Sequence, residues 1–85
     1  MAKVTIQYWA AARDAAGVAT EVVDAETLPE ALDVIVARRA DGRLRLVLPT
    51  CSFLVDGMPA ARDAAPAVAL ADGARVEVLP QFAGG

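Results

Sequence analysis

The sequence predicts an α+β domain, a mixed sheet of four to five strands with one main helix packed on one face. Three observations carry the prediction. Residues alternate between apolar and polar from Ala2 to Trp9, a stretch opened by Thr27 repeats its apolar residues at helical spacing, and the remaining apolar segments are short and separated by Asp-Gly dipeptides. A chain of 85 residues has room for one hydrophobic core, and not for a catalytic domain beside a binding domain.

Val4, Ile6 and Tyr8 fall on one side of the first segment and Lys3, Thr5 and Gln7 on the other, the period of a half-buried strand. Gly17 punctuates a polar, alanine-rich turn, and Thr20 to Val23 supply β-branched residues for a second strand. The N-terminal part therefore reads as a hairpin with a long loop. Thr27, Glu30 three positions later and Pro29 in the first turn read as an N-cap, a capping box and a proline that loses no helical hydrogen bond. Leu28, Ala31, Leu32, Ile35 and Val36 share one face until Asp41-Gly42, which predicts a helix of about 13 residues.

Leu44 to Leu48 reads as a linking stretch, and Cys51 to Val55 as a third strand closed by Asp56-Gly57. Pro59 and Pro66 bracket a segment that is irregular or a short strand. Asp72-Gly73 then turns the chain into a last strand, Ala74 to Leu79, with Val76 and Val78 inward and Arg75, Glu77 and Leu79 outward. Pro80 should end it, because proline cannot donate to a continuing ladder.

Composition removes several classes of function. Hydrophobic residues make up 56% of the chain, but the large aromatics are only Tyr8, Trp9, Phe53 and Phe82, so Val, Leu and Ile must build the core. The formal charge is −3 with both signs interspersed, and no basic stripe suits a phosphate backbone. Arg38, Arg39, Arg43 and Arg45 form the nearest thing to a basic cluster and read as a solvated face. A single cysteine, Cys51, cannot form an internal disulfide, and neither a signal peptide nor an apolar run of about 18 residues is evident. A cytoplasmic protein with no membrane and no nucleic-acid partner is expected. Histidine is absent, and no metal site is expected. Asp24, Glu26, Asp56, Asp63 and Asp72 fall at turns and element ends, where capping explains them. Cys51 reads as a small apolar packing residue, with nothing nearby in sequence to lower its pKa.

After Pro80 come Gln81, Phe82, Ala83, Gly84 and Gly85. Glycine usage is roughly 7%, so two glycines together at the end are uncommon by chance and point to a functional tail; a frayed end is the alternative. The expected division is a domain over 1–80 and a flexible tail over 81–85.

The chain resembles the ubiquitin-like sulfur-carrier family that includes the small subunit of molybdopterin synthase and the thiamine sulfur carrier. Tyr8 to Gly17 looks like that family's first strand and following loop, Phe53 to Gly57 like its middle strand and turn, and Asp72 to Gly85 like its last strand and tail. The tail is the chemical motif; the rest is fold pattern. The Trp9-to-Arg13 and Leu79-to-Phe82 segments look more like the molybdopterin synthase small subunit. The resemblance implies a β-grasp fold with the first and last strands side by side in the centre.

It also implies a chemistry centred on the carboxylate of Gly85. A terminal carboxyl with a pKa of about 3.5 is ionised at neutral pH and must be activated before sulfur is attached. This chain carries neither G-x-x-x-x-G-K-[ST] nor G-x-G-x-x-G. No cofactor is expected on it. The implied partners are an adenylating enzyme related to the ubiquitin-activating enzymes, which uses MgATP, a sulfur donor protein, and a large synthase subunit that supplies the catalytic side chains, in a heterotetramer. Gly84 and Gly85 would thread a narrow pocket. Leu79 and Trp9, which the strand alternation turns away from the helix-covered core, and Phe82 on the tail itself are the candidate partner contacts, closure of the end of the core being the alternative for Trp9, and Arg13 could pair with an acidic partner residue or with a neighbour such as Asp14. Thiazole or cysteine synthesis, or conjugation to lysines as a ubiquitin-like modifier, are the alternative destinations of the same tail.

Overall fold

The computed structural model describes residues 2–81. Five strands form one sheet in the order β2-β1-β5-β3-β4: β1 Lys3–Tyr8, β2 Thr20–Asp24, β3 Cys51–Val55, β4 Met58–Ala60 and β5 Arg75–Pro80. The first and last strands pair in parallel at its centre, with Ile6 opposite Val76 and Tyr8 opposite Val78. All other pairings are antiparallel. Val4, Ile6, Tyr8, Val76 and Val78 point to one face, as their alternation predicts, and are buried there.

Helix α2, Leu28–Ala37, covers that face with Leu28, Ala31, Leu32 and Ile35. Its start follows the capping signal: the Glu30 N–H donates to Thr27 Oγ1 at 3.3 Å. The Glu30 carboxylate reaches one residue further back than a standard capping box, accepting from the Glu26 N–H at 3.1 Å. The helix ends at Ala37, short of the predicted Asp41-Gly42.

Two further helices replace segments predicted as turn and linker. Helix α1 spans Ala10–Ala16 where an alanine-rich turn was expected. Alanine has the highest helix propensity, and Ala12 and Ala15, three apart, supply the buried stripe. Gly17 ends it with φ 80°, its N–H donating to the Arg13 carbonyl, a conformation that disfavours a side chain. Helix α3, Arg43–Val47, followed by a single 3-10 turn at Leu48–Thr50, occupies the predicted linker. Leu44 and Leu48 are buried while Leu46 between them is exposed, so the spacing used is four, not two.

The turn between β3 and β4 has positive φ at both Asp56 and Gly57, 49° and 81°, as a two-residue type I′ hairpin requires. Asp56 Oδ1 also accepts the Arg75 N–H at 3.0 Å, and Asp72 Oδ1 accepts the Lys3 N–H at 2.8 Å, so both predicted turn carboxylates satisfy backbone donors. The strand after Asp72-Gly73 runs through Pro80, one residue beyond the expected end. Pro80 lies opposite Cys51, and the next pair out, Gln81 with Thr50, exchanges the ladder bond, so the missing N–H forfeits none to β3.

Arg38 and Arg39 correct the reading of a solvated basic face. Arg38 Nη1 donates to Glu21 Oε1 at 2.8 Å and to the Val22 carbonyl at 2.9 Å. Arg39 ties three elements together: its guanidinium binds Glu21 Oε2, the Ala16 carbonyl (3.0 Å) and the Ile35 carbonyl (2.8 Å), and lies 5.5 Å from the Tyr8 ring centroid. No helix among the described residues is long and apolar enough to cross a membrane.

Candidate functional site, the root of the C-terminal tail

Strand β5 emerges from the sheet at the end where β1 finishes and β3 begins. The Gln81 N–H donates to the Thr50 carbonyl at 2.9 Å, the last ladder bond among the described residues. On the other side the Trp9 N–H donates to the Val78 carbonyl at 3.1 Å. The root is thus gripped from both flanks. Helix α2 covers one face of the sheet, and no helix or strand among the described residues covers the opposite one.

Trp9 continues the β1 alternation in extended backbone and lands on the open face, 43% exposed, where its Nε1 donates to Glu77 Oε1 at 3.2 Å. Leu79 is half-buried on the same face, in register with Ser52, and Leu54 lies opposite Glu77 on the neighbouring strand. Two of the predicted contacts, Trp9 and Leu79, therefore share one face at the end from which the tail leaves. Arg13 is exposed on α1, one turn from Trp9, and forms no ion pair among the described residues, with Asp14 or otherwise. Phe82, Gly84 and Gly85 lie outside the described residues.

Behind the open face, Tyr8 and Glu21 hold the root's base. Burial pushes the Tyr8 phenol well above its ordinary range, and the hydrogen bond to the Glu21 carboxylate adds to this. Burial pulls Glu21 upward too, but hydrogen bonds from Tyr8, Arg38 and Arg39 outweigh it and hold the carboxyl below its usual value. Cys51 lies beside the root, where its Sγ donates to the Val47 carbonyl at 3.3 Å. Burial raises its thiol and a Thr50 hydrogen bond only partly opposes that, so the neutral thiol dominates at pH 7. That chemistry suits packing, not nucleophilic attack.

Two apolar residues lie outside the predicted contacts. Leu54, two residues after Ser52, shares the outer side of β3 with it, a placement that strand alternation alone implies. Leu46, in the predicted linker, is exposed on α3.

The family model described as the ThiS family matches residues 6–85. The chain belongs to the ThiS family. The resemblance to ubiquitin-like sulfur carriers drawn from Tyr8–Gly17 and the tail is thereby borne out. No curated protein matches the sequence. Among solved structures, the ThiS-family chain superposes on small archaeal modifier protein 1 from Methanosarcina acetivorans with a TM-score of 0.83 at 20% identity, covering 100% of this chain and 98% of that one. It matches the Haloferax volcanii small archaeal modifier protein 1 with a TM-score of 0.79 at 26% identity, covering 98% and 99%. A chain of the complex of subunits 1 and 2 of molybdopterin-converting factor from Helicobacter pylori 26695 matches with a TM-score of 0.67 at 19% identity, again covering 98% and 99%. These likenesses establish the β-grasp, ubiquitin-like fold of this ThiS-family protein.

Proposed function

We propose that this ThiS-family chain is a sulfur carrier that serves as the small subunit of a molybdopterin synthase. The carboxylate of Gly85 attacks the α-phosphate of ATP in the site of an adenylating partner, with pyrophosphate leaving. Sulfide supplied by a sulfur donor then attacks the acyl carbon, the C–O bond to AMP breaks, and AMP leaves behind a thiocarboxylate. That sulfur passes to cyclic pyranopterin monophosphate in a large subunit, with which this chain forms a heterotetramer.

The observation that carries this reading is the placement of β5. A strand hydrogen-bonded on both sides delivers Gln81 to the end of the domain, four residues ahead of Gly85. Glycines there add no side chains to a tail that must enter a narrow pocket, and an unbranched last residue leaves its acyl carbon open to attack. The fold-level likeness to a subunit 1 solved with its subunit 2 supports a large-subunit partner.

A second reading is favoured by the higher structural similarity to two archaeal modifier proteins, and gives the same activated terminus to a lysine amine. Intact mass after incubation with an adenylating enzyme, MgATP and sulfide separates the two. Replacement of one oxygen by sulfur, lost on deletion of Gly85, is the expected result, and lysine adducts without thiocarboxylate would instead select the modifier. Addition of the large subunit and the pterin substrate should then consume the thiocarboxylate.

A further inference from the structure

Trp9 is the one tryptophan of the chain and is 43% exposed, yet all of its polar groups are engaged. Its N–H donates to the Val78 carbonyl at 3.1 Å, and its carbonyl accepts the Ala12 and Arg13 N–H groups at 3.0 and 3.3 Å as α1 begins. Ala10, immediately after it, takes a φ of 49°, a left-handed conformation costly for a residue with a Cβ, so that extended strand passes directly into helix. The backbone under the indole is therefore fixed from both sides. The side chain is fixed as well, by the 3.2 Å bond from Nε1 to Glu77 Oε1.

That last bond sets the direction of the ring. β1 and β5 are parallel, with Gln7 opposite Glu77 and Tyr8 opposite Val78, so Trp9 stands level with Leu79 and its indole reaches Glu77 diagonally, drawn back from the end where Gln81 departs. Glu77 in turn has no other side-chain hydrogen bond or ion pair among the described residues, although Arg75 lies two residues away on the same face. A hydrogen bond this exposed adds little to the stability of the domain, because water competes for both partners. Its effect falls on the ring. An unrestrained, half-exposed indole samples several rotamers within nanoseconds, and an interface that must immobilise it loses affinity in proportion.

We infer that Glu77 is a positioning residue: it holds the Trp9 indole in one orientation on the uncovered sheet face, so that the ring meets the large subunit already aligned. The inference rests on the small-subunit reading above, in which Trp9 contacts that partner.

Because Trp9 is the only indole, intrinsic fluorescence of the full chain reports on it alone. Time-resolved anisotropy should show a fast local component in Glu77→Ala that wild type lacks, and Glu77→Gln, whose amide oxygen also accepts a hydrogen bond, should behave as wild type does. Binding to the large subunit, read by calorimetry, should weaken by about fivefold in Glu77→Ala and recover in Glu77→Gln. Adding Glu77→Ala to Trp9→Phe, which has no indole N–H to orient, should cost nothing further. Melting curves close to that of wild type check that each variant is folded. Unchanged indole motion in Glu77→Ala overturns the inference. So does a Glu77→Gln variant that binds no better than Glu77→Ala, or a penalty that persists in full beside Trp9→Phe, since either makes Glu77 a direct charged contact. If wild type itself does not bind the large subunit, the small-subunit reading has failed, while the anisotropy still decides whether Glu77 orients Trp9.

Discussion

Glu21 accepts the phenolic hydrogen of Tyr8 diagonally across the β1–β2 pair, on the helix-covered side of the sheet. The same carboxylate receives Arg38 and Arg39, so one side chain on an edge strand joins the sheet to the far end of α2 and, through Arg39, to the end of α1. Replacing it with alanine strands a buried hydroxyl and a largely buried guanidinium. Glu21→Ala should therefore lose on the order of 2–4 kcal/mol of unfolding free energy in urea titration, and Glu21→Gln clearly less.

The same cluster sets how stability varies with pH. Glu21 has a lowered folded pKa, so its contribution is complete above the unfolded value of about 4.3 and disappears as pH falls through the folded one. Tyr8 has a raised folded pKa, so its contribution is complete below about 10 and is lost as pH climbs beyond. The melting temperature should be flat across the neutral range with respect to this cluster and fall at both extremes. Glu21→Gln should flatten the acid limb, and Tyr8→Phe the alkaline one.

Trp9 and Leu79 sit on the uncovered face and hold little of the core. Trp9→Ala and Leu79→Ser should shift the melt only slightly while weakening large-subunit binding by about tenfold or more each, as read by calorimetry. Equal losses of stability and affinity would mark them as packing residues.

Cys51 carries a thiol that its surroundings keep protonated. Iodoacetamide at neutral pH should modify the folded chain more slowly than the chain in urea, and under the proposed function Cys51→Ala should match wild type in the yield of thiocarboxylate, read by intact mass.

Strand alternation from Val4 to Tyr8, the Thr27 cap and the Asp56-Gly57 turn were legible because each rests on local physics: a period of two, a hydroxyl oxygen three residues before the N–H it accepts, and a pair of residues tolerant of positive φ. The segments around Ala12 and Leu46 were not. Alanine counts weakly in an apolar pattern, so a seven-residue helix built on Ala12 and Ala15 looks like a loop. Leu44, Leu46 and Leu48 fit a period of two in sequence, and only packing against the sheet reveals that the outer two face the core. The roles of Arg38 and Arg39 depend on Glu21, seventeen and eighteen positions away, a pairing that no window of helical length contains. For the site, the tail and its aromatic neighbour were visible as composition, whereas the bond from Trp9 to Glu77, 68 positions away, exists only once β1 and β5 pair.

The central position of β5 has a mechanical consequence. A pull on Gln81 along the strand loads its bonds to β1 and β3 together, in shear, and no single bond yields ahead of the rest. Under the proposed function, a partner that draws the tail taut in its active site and lets it go again, turnover after turnover, would leave the domain that bears it intact.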